Sequence, residues 1–249
     1  MFKNIIIISD NLYLCQEFYS MTESKKIVNC TFTFSISPYS DKEKFIISNA
    51  VNVKVFNLKN QEDVNQIIAD YDLVLSVHCK QIFPPDLVSK VKCINVHPGY
   101  NPINRGWYPQ VFAILNDTLI GATIHEIDDE LDNGHIIARA FVTKEAHDTS
   151  ETLYNKVVAK EIELIDANIE AIIRNDYQTV VPEETGNLYL KKDFNRLMHL
   201  NLNEATTVGK VIDKLRALTH GSFNNAYFID EKTGKKIYVG IQLKPESDE

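Results

Sequence analysis

"FKNIIIISDN", residues 2–11, decides the fold. Its apolar core, Ile5 to Ile8, shows no alternation, which suits a strand covered on both faces, as in a parallel sheet between two layers of helices. Outward from it, "NLYLCQEFYSM" reads as a helix and "CTFTFSIS" alternates like a strand. A polar helical or irregular stretch follows, then a strand around "VNVKVFNL" (51–58) and a helix at "QEDVNQIIADY". "DLVLSVHC" (72–79) and "VKCINVH" (91–97) are strands joined by a short piece broken at Pro84–Pro85. Strands alternating with helices predict right-handed crossovers and an open, Rossmann-like α/β sheet with helices on both faces.

Downstream, "YPQVFAILN" reads as a helix, and "LIGATIHEID" as a strand paired antiparallel with "GHIIARAFVT" across the acidic turn "DDELDNG". Residues 150–176 place apolar side chains at helical spacing with no internal Gly or Pro, so one long amphipathic helix is expected. A turn-rich region with Pro182 and Gly186 marks a domain edge. It divides a catalytic domain, 1–185, from a small appendage, 186–249, made of a helix near "ATTVGKVIDKLRALT" and a hairpin turned at "EKTG".

The 249 residues, 44% hydrophobic and 24% charged, read as an ordinary globular chain. No apolar run approaches the roughly 20 residues of a membrane helix, so a cytoplasmic protein with no membrane contact is expected. Cys15, Cys30, Cys79 and Cys93 lack any CxxC spacing and read as reduced thiols, not as a disulfide framework or a zinc site. A net charge of -8 disfavours a nucleic-acid partner.

In open α/β sheets ligands gather at the carboxyl ends of the strands, where Asp10, Asn11, His78, Asn95 and His97 fall. Asn95 and His97 lie two apart, so they share one face, and Pro98 and Gly99 end the pairing beside them. An amide donor next to an imidazole suits stabilising an oxyanion while a proton is moved. The missing carboxylate is available in the turn carrying Asp128, Asp129, Glu130 and Asp132. Taken alone, the turn is also a solvated acidic loop, and the Asn–His pair an ordinary strand-end hydrogen bond. No metal is expected: "HEIDD" lacks the second zincin His, Asn133 stands where a calcium loop wants Gly, and His125 with His135 across a hairpin is a weak zinc pair.

"CINVHPGYNPINRGW" (93–107) followed by "GATIHEIDDELDNGHIIA" (121–138) resembles the formyltransferases that use 10-formyltetrahydrofolate. The Pro-Gly-Tyr-Asn-Pro run after the His is similar to the branch that formylates nucleotide-linked amino sugars, and the likeness continues through "DLVLSVHCKQIFP", "NLYLKKDFNRL" and "LRALTHGSFNNAYF". The resemblance implies a catalytic trio of Asn95, His97 and Asp132. A neutral amine attacks the formyl carbon, Asn95 and His97 stabilise the oxygen, and Asp132 orients His97 and relays the amine proton. His97 or an ordered water returns a proton to the leaving folate nitrogen. The folate is implied to sit between His78, Lys80, Gln81, Ile82 and Phe83 on one side and Ile127, Asp128, Asp129 and Glu130 on the other, read by main-chain groups, with the side chains of Gln81, Ile82 and Phe83 packing.

The implied acceptor is a dTDP-linked amino-dideoxyhexose, foremost dTDP-4-amino-4,6-dideoxy-D-glucose, formylated for O-antigen or another surface glycan. Asn11 is a candidate for the pyrophosphate, Lys191 and Lys192 for its charge, and Phe223, in a polar turn, for stacking on thymine. Tyr100, Asn101, Arg105 and Trp107, in a loop stiffened by Pro98, Pro102 and Pro109, would wall the hexose; Arg105 alternatively anchors that loop through backbone carbonyls. A homodimer built partly on the hairpin is expected. The alternatives are a dTDP-3-amino-3,6-dideoxyhexose N-formyltransferase and a nonenzymatic nucleotide-binding module. No GxGxxG follows the first strand, which disfavours a dinucleotide-dependent oxidoreductase.

Overall fold

The computed structural model describes residues 1–49, 53–184 and 186–246. The first half runs β1 (Asn4–Ser9), α1 (Leu12–Ser24), β2 (Thr31–Ile36), α2 (Lys42–Asn49), β3 (Lys54–Val55), α3 (Gln61–Asp70), β4 (Leu73–Val77), α4 (Pro85–Lys90) and β5 (Lys92–His97). Then come β6 (Arg105–Gly106), α5 (Pro109–Leu115), β7 (Gly121–Glu126), β8 (Ile136–Phe141) and α6 (Ser150–Arg174). The chain ends with β9 (Leu188–Tyr189), α7 (Lys191–Leu197), α8 (Val208–Leu218), β10 (Ala226–Ile229) and β11 (Lys236–Val239).

Seven strands form one sheet in the order β3-β2-β1-β4-β5-β7-β8. The first five are mutually parallel, and β7 runs antiparallel to both β5 and β8. Alternate residues of β1 feed two different cores, which explains its unbroken isoleucines. Ile5 and Ile7 pack with Phe18 of α1 and Ile165 and Ile169 of α6, while Ile6 and Ile8 pack with Val64 and Ile67 of α3. The strand predicted over 51–58 shrinks to Lys54–Val55, both exposed; Val51 and Asn52 lie outside the described residues.

The long helix α6 forms as its spacing predicts, opened by a Thr149–Thr152 capping box and closed by Asn175 in the left-handed conformation. The hairpin β10–β11 also forms, antiparallel and turned at residues 230–235. A third core joins the middle of the chain to its C-terminal part: Val111 and Phe112 of α5 pack with Leu153 of α6, Phe194 of α7, and Ala217 and Leu218 of α8. Thr185, at the sequence-derived domain edge, lies outside the described residues. Just beyond it, β9 pairs in parallel with β6, in the loop that follows His97. Gly186 passes so close to that loop that a Cβ there would lie 1.9 Å from the Pro102 carbonyl oxygen.

Leu75, fully buried on the central strand β4, is expected to cost about 2–5 kcal/mol on replacement by Ala in equilibrium urea unfolding. Ile82→Ala, at a position 83% exposed, is expected to stay within about 0.5 kcal/mol.

Candidate active site

Strand pairing brings the polar residues together. Asn95 of β5 lies opposite His125 of β7, and His97 lies opposite Thr123, so all four share one end of the sheet. Thr123 then fixes the turn after His97: its hydroxyl donates to the Gly99 carbonyl at 2.7 Å and accepts from the Asn101 N–H at 3.0 Å. Gly99 is required for the imidazole, because a Cβ at this position would sit 2.5 Å from His97 Nε2.

Asp132, held at φ +50 in the turn between β7 and β8, reaches back into this cluster. Its Oδ1 accepts from Asn95 Nδ2 at 3.1 Å, and its Oδ2 accepts from the Gly106 N–H at 3.1 Å and lies 3.5 Å from His97 Nδ1. Asn101 locks the same turn by donating from Nδ2 to the Asp132 carbonyl at 2.8 Å. His125 donates from Nδ1 to the Glu126 carbonyl at 2.7 Å, so its Nε2 accepts the second Asn95 amide hydrogen at 3.2 Å. Asn95 thus has both hydrogens engaged, while His97 Nε2 is buried with no hydrogen-bond partner.

Burial pushes the His97 pKa down to about 4, against the attraction of Asp132 and with help from His125 and His78. Burial works to raise Asp132, but the facing charge of His97, the His125 contact and the Gly106 N–H outweigh it and hold the carboxyl below the ordinary range. At neutral pH the pair is an ionised Asp132 and a neutral His97 with its proton on Nδ1. The bare lone pair on Nε2 is what such a site offers to chemistry.

His97 lines a cavity of about 510 Å³. His78, Lys80, Gln81, Ile82 and Phe83 line one side, and Ile127, Asp128, Asp129, Glu130 and Asp132 another, with Asn95, His97 and Trp107 between them. Within these segments Gln81 and Phe83 pack as expected and Ile82 does not. Gln81 is tied to the backbone of Leu58 and Phe56, and Phe83 packs against the α3–α4 core, but Ile82 is 83% exposed.

The residues assigned to the acceptor split into two groups. Trp107 lines the cavity, with the Lys191 ammonium 5.5 Å over its ring. Lys192 is exposed beside it on α7, and Phe223, 70% exposed, lies 5.9 Å from the His220 ring. Asn11, Tyr100, Asn101 and Arg105 are not among the residues that line the cavity. Asn11 caps α1 through Leu14 N, and its Nδ2 donates to Tyr154. Arg105 binds the Asn133 side chain. The carbonyl anchor expected of Arg105 belongs to Arg139, which donates to the Asn101 oxygen at 2.5 Å and stacks 4.5 Å over Tyr100.

Sequence reasoning missed Tyr154 and Glu161 of α6, which hold His78, and treated His125 only as a metal candidate. Among the described residues no group of three or more His, Cys, Asp or Glu could hold a metal ion. No described helix is long and apolar enough to cross a membrane. Among the described residues no cysteine forms a disulfide, and burial pushes Cys79 and Cys93 up to about 12, so neither is nucleophilic at neutral pH.

A model of the formyl transferase family matches residues 3–169, and one of the N-formyltransferase dimerization C-terminal domain matches residues 193–245. The chain belongs to the formyl transferase family. A dTDP-4-amino-4,6-dideoxyglucose formyltransferase of Mycobacterium tuberculosis is 49% identical over 185 residues, 74% of this chain and 79% of the relative. A sugar N-formyltransferase from a Shewanella species superposes with a TM-score of 0.93 at 37% identity, over 98% of this chain and 99% of that one. A 4-N formyltransferase from Francisella tularensis gives a TM-score of 0.91, also at 37% identity and the same coverage.

This formyltransferase is expected to tolerate Gly99→Ala in its fold, since Gly99 lacks a positive φ, but to lose about 100-fold in kcat/KM as the imidazole is displaced. Steady-state rates measured beside an unchanged unfolding midpoint check this.

Proposed function

We propose that the enzyme transfers the formyl group of 10-formyltetrahydrofolate to the amine of a dTDP-linked amino-dideoxyhexose, foremost dTDP-4-amino-4,6-dideoxy-D-glucose. The observation that carries the reading is the buried, unpartnered Nε2 of His97, a residue that lines the cavity, with the ionised Asp132 carboxylate facing the other ring nitrogen. An amine that becomes an amide must lose a proton at that point, and a neutral imidazole can take it.

The folate fits the side walled by residues 78–83 and 127–130, whose backbone supplies a donor and acceptor edge for a pterin and whose Phe83 is apolar. When bound, it supplies an activated formyl carbon. His97 receives a proton from the attacking amine on Nε2, and Asp132 keeps the Nδ1 proton in place and balances the imidazolium. Asn95 turns one N–H toward the formyl oxygen as negative charge grows there, releasing His125, the longer of its two contacts. His97 then holds the proton that the leaving nitrogen needs.

For the acceptor, Lys191 and Lys192 offer charge to the diphosphate, Trp107 offers a wall for the hexose, and exposed Phe223 a face for thymine. The 49% identical relative and the 4-N formyltransferase neighbour support the 4-amine. Solved 3-N relatives, at 20% and 22% identity, share the fold only. We further assign the enzyme to the cytoplasm and to surface-glycan synthesis. Residues 1–185 are taken as the catalytic domain, and 186–249 as the appendage that forms a homodimer through exposed Val208, Val211, Ile237 and Tyr238.

Purified enzyme given 10-formyltetrahydrofolate with each dTDP-amino sugar should yield an N-formyl product by mass spectrometry, faster with the 4-amine. His97→Asn should lower kcat by about 100-fold or more while both substrates still bind. Absence of product from any amine, with binding intact, would favour a nonenzymatic nucleotide-binding module. Phe223→Ala should raise the sugar-nucleotide KM and leave the folate KM unchanged; an unaltered sugar KM removes the stacking role.

A further inference from the structure

A second imidazole stands beside His97 with machinery of its own. Ser76 pairs with Asn95 and Val77 with Val96, so the residues that follow, His78 and His97, emerge side by side from adjacent parallel strands. His78 leaves its strand at φ +55 and turns its ring toward α6. There its Nε2 lies 2.9 Å from both oxygens of Glu161, a carboxylate with no exposed surface, and its Nδ1 lies 3.1 Å from the Tyr154 hydroxyl.

Hydrogen-bond accounting fixes the protons. The Asn11 carbonyl oxygen is committed to Leu14 N–H, so its Nδ2 is the atom that donates to Tyr154 Oη at 3.1 Å. With Glu161 ionised, its oxygens only accept, so a neutral His78 ring carries its proton on Nε2 and its Nδ1 accepts from the Tyr154 hydroxyl. Tyr154 Oη keeps one unused lone pair, and both Tyr154 and His78 line the cavity.

The chemistry needs such a group. A sugar amine arrives in neutral water largely as an ammonium ion and must lose one proton before it can attack and another as the amide forms. His97 has one vacant nitrogen and accounts for the second. We propose that Tyr154, His78 and Glu161 form a relay that removes the first proton from the bound ammonium. An ammonium N–H bond breaks, its electron pair stays on nitrogen, and the proton passes to Tyr154 Oη. The former tyrosine proton moves to His78 Nδ1, leaving Tyr154 neutral and an imidazolium facing the Glu161 carboxylate.

Burial pushes Tyr154 up to about 12, so it passes a proton on without resting as the anion. Burial likewise raises Glu161 against the lowering effect of His78, which makes the carboxylate receptive to positive charge beside it. The titratable groups that face the relay are Tyr154 and Glu161 of α6, His97 of β5, and His220, whose ring packs 5.6 Å from Tyr154. Tyr154 is the member that touches substrate; His78 and Glu161 act through it.

The inference rests on the amine-formylating function proposed above. Its test is kcat/KM against pH for wild type, Tyr154→Phe and Glu161→Gln, with the amino sugar that wild type formylates. Below the pKa of that amine, each variant should fall behind wild type by about tenfold per pH unit, and the gap should close above it. A Tyr154→Phe enzyme with the wild-type profile, or one slowed equally at every pH, overturns the relay alone. A wild-type enzyme inactive on every amine overturns the site reading and the relay together. Should Glu161→Gln fail to fold, Tyr154→Phe decides, since it keeps the ring and its packing.

Discussion

The arrangement depends on one buried charge, the carboxylate of Asp132. It is drawn into the sheet end by donors from two separate segments, Asn95 of β5 and the Gly106 N–H of β6, and it faces the His97 ring. A buried carboxylate without such partners would take up a proton. Because these partners are present, Asp132 stays ionised and dictates where the His97 proton sits. The direction of the free lone pair follows from that.

The loop between His97 and Tyr108 is built around the same charge. Asn101 ties down the Asp132 carbonyl, Arg139 ties down the Asn101 carbonyl, and Arg105 holds Asn133 one residue further on. The pairing of β6 with β9 then fastens this loop to the segment leading into the appendage. The proline-rich stretch is therefore mainly a clamp on the acidic turn, and Pro98, Gly106 and Trp107 are among its members that reach the cavity. A pair on α6 plays the matching part for the loop after β4, where buried Glu161 and half-buried Tyr154 hold His78.

Much of this was legible in the sequence where a periodic pattern or a strand end carried the signal. The unbroken isoleucines of β1 announced a sheet covered on both faces, and two-residue spacing put Asn95 and His97 on one face. The resemblance then singled out Asp132 among four acidic residues. Other features depend on contacts between distant segments. Arg105 and Arg139 are interchangeable to a reader of composition, and only the β7–β8 register puts Arg139 beside Tyr100. Asn11 had the look of a phosphate ligand, but its place before α1 made it a cap. Glu161 did leave a trace: it falls on the apolar stripe of α6 with Val158 and Ile165, where a carboxylate needs a partner.

The central claim is that burial keeps His97 neutral while Asp132 holds its proton on Nδ1 and leaves Nε2 bare. The direct measurement is nitrogen-15 NMR of the His97 ring in the ligand-free enzyme at neutral pH. The account predicts a protonated Nδ1 and an unprotonated Nε2, persisting as pH falls well below the ordinary histidine pKa of about 6.5. An imidazolium at neutral pH, or a proton on Nε2 in place of Nδ1, would contradict it.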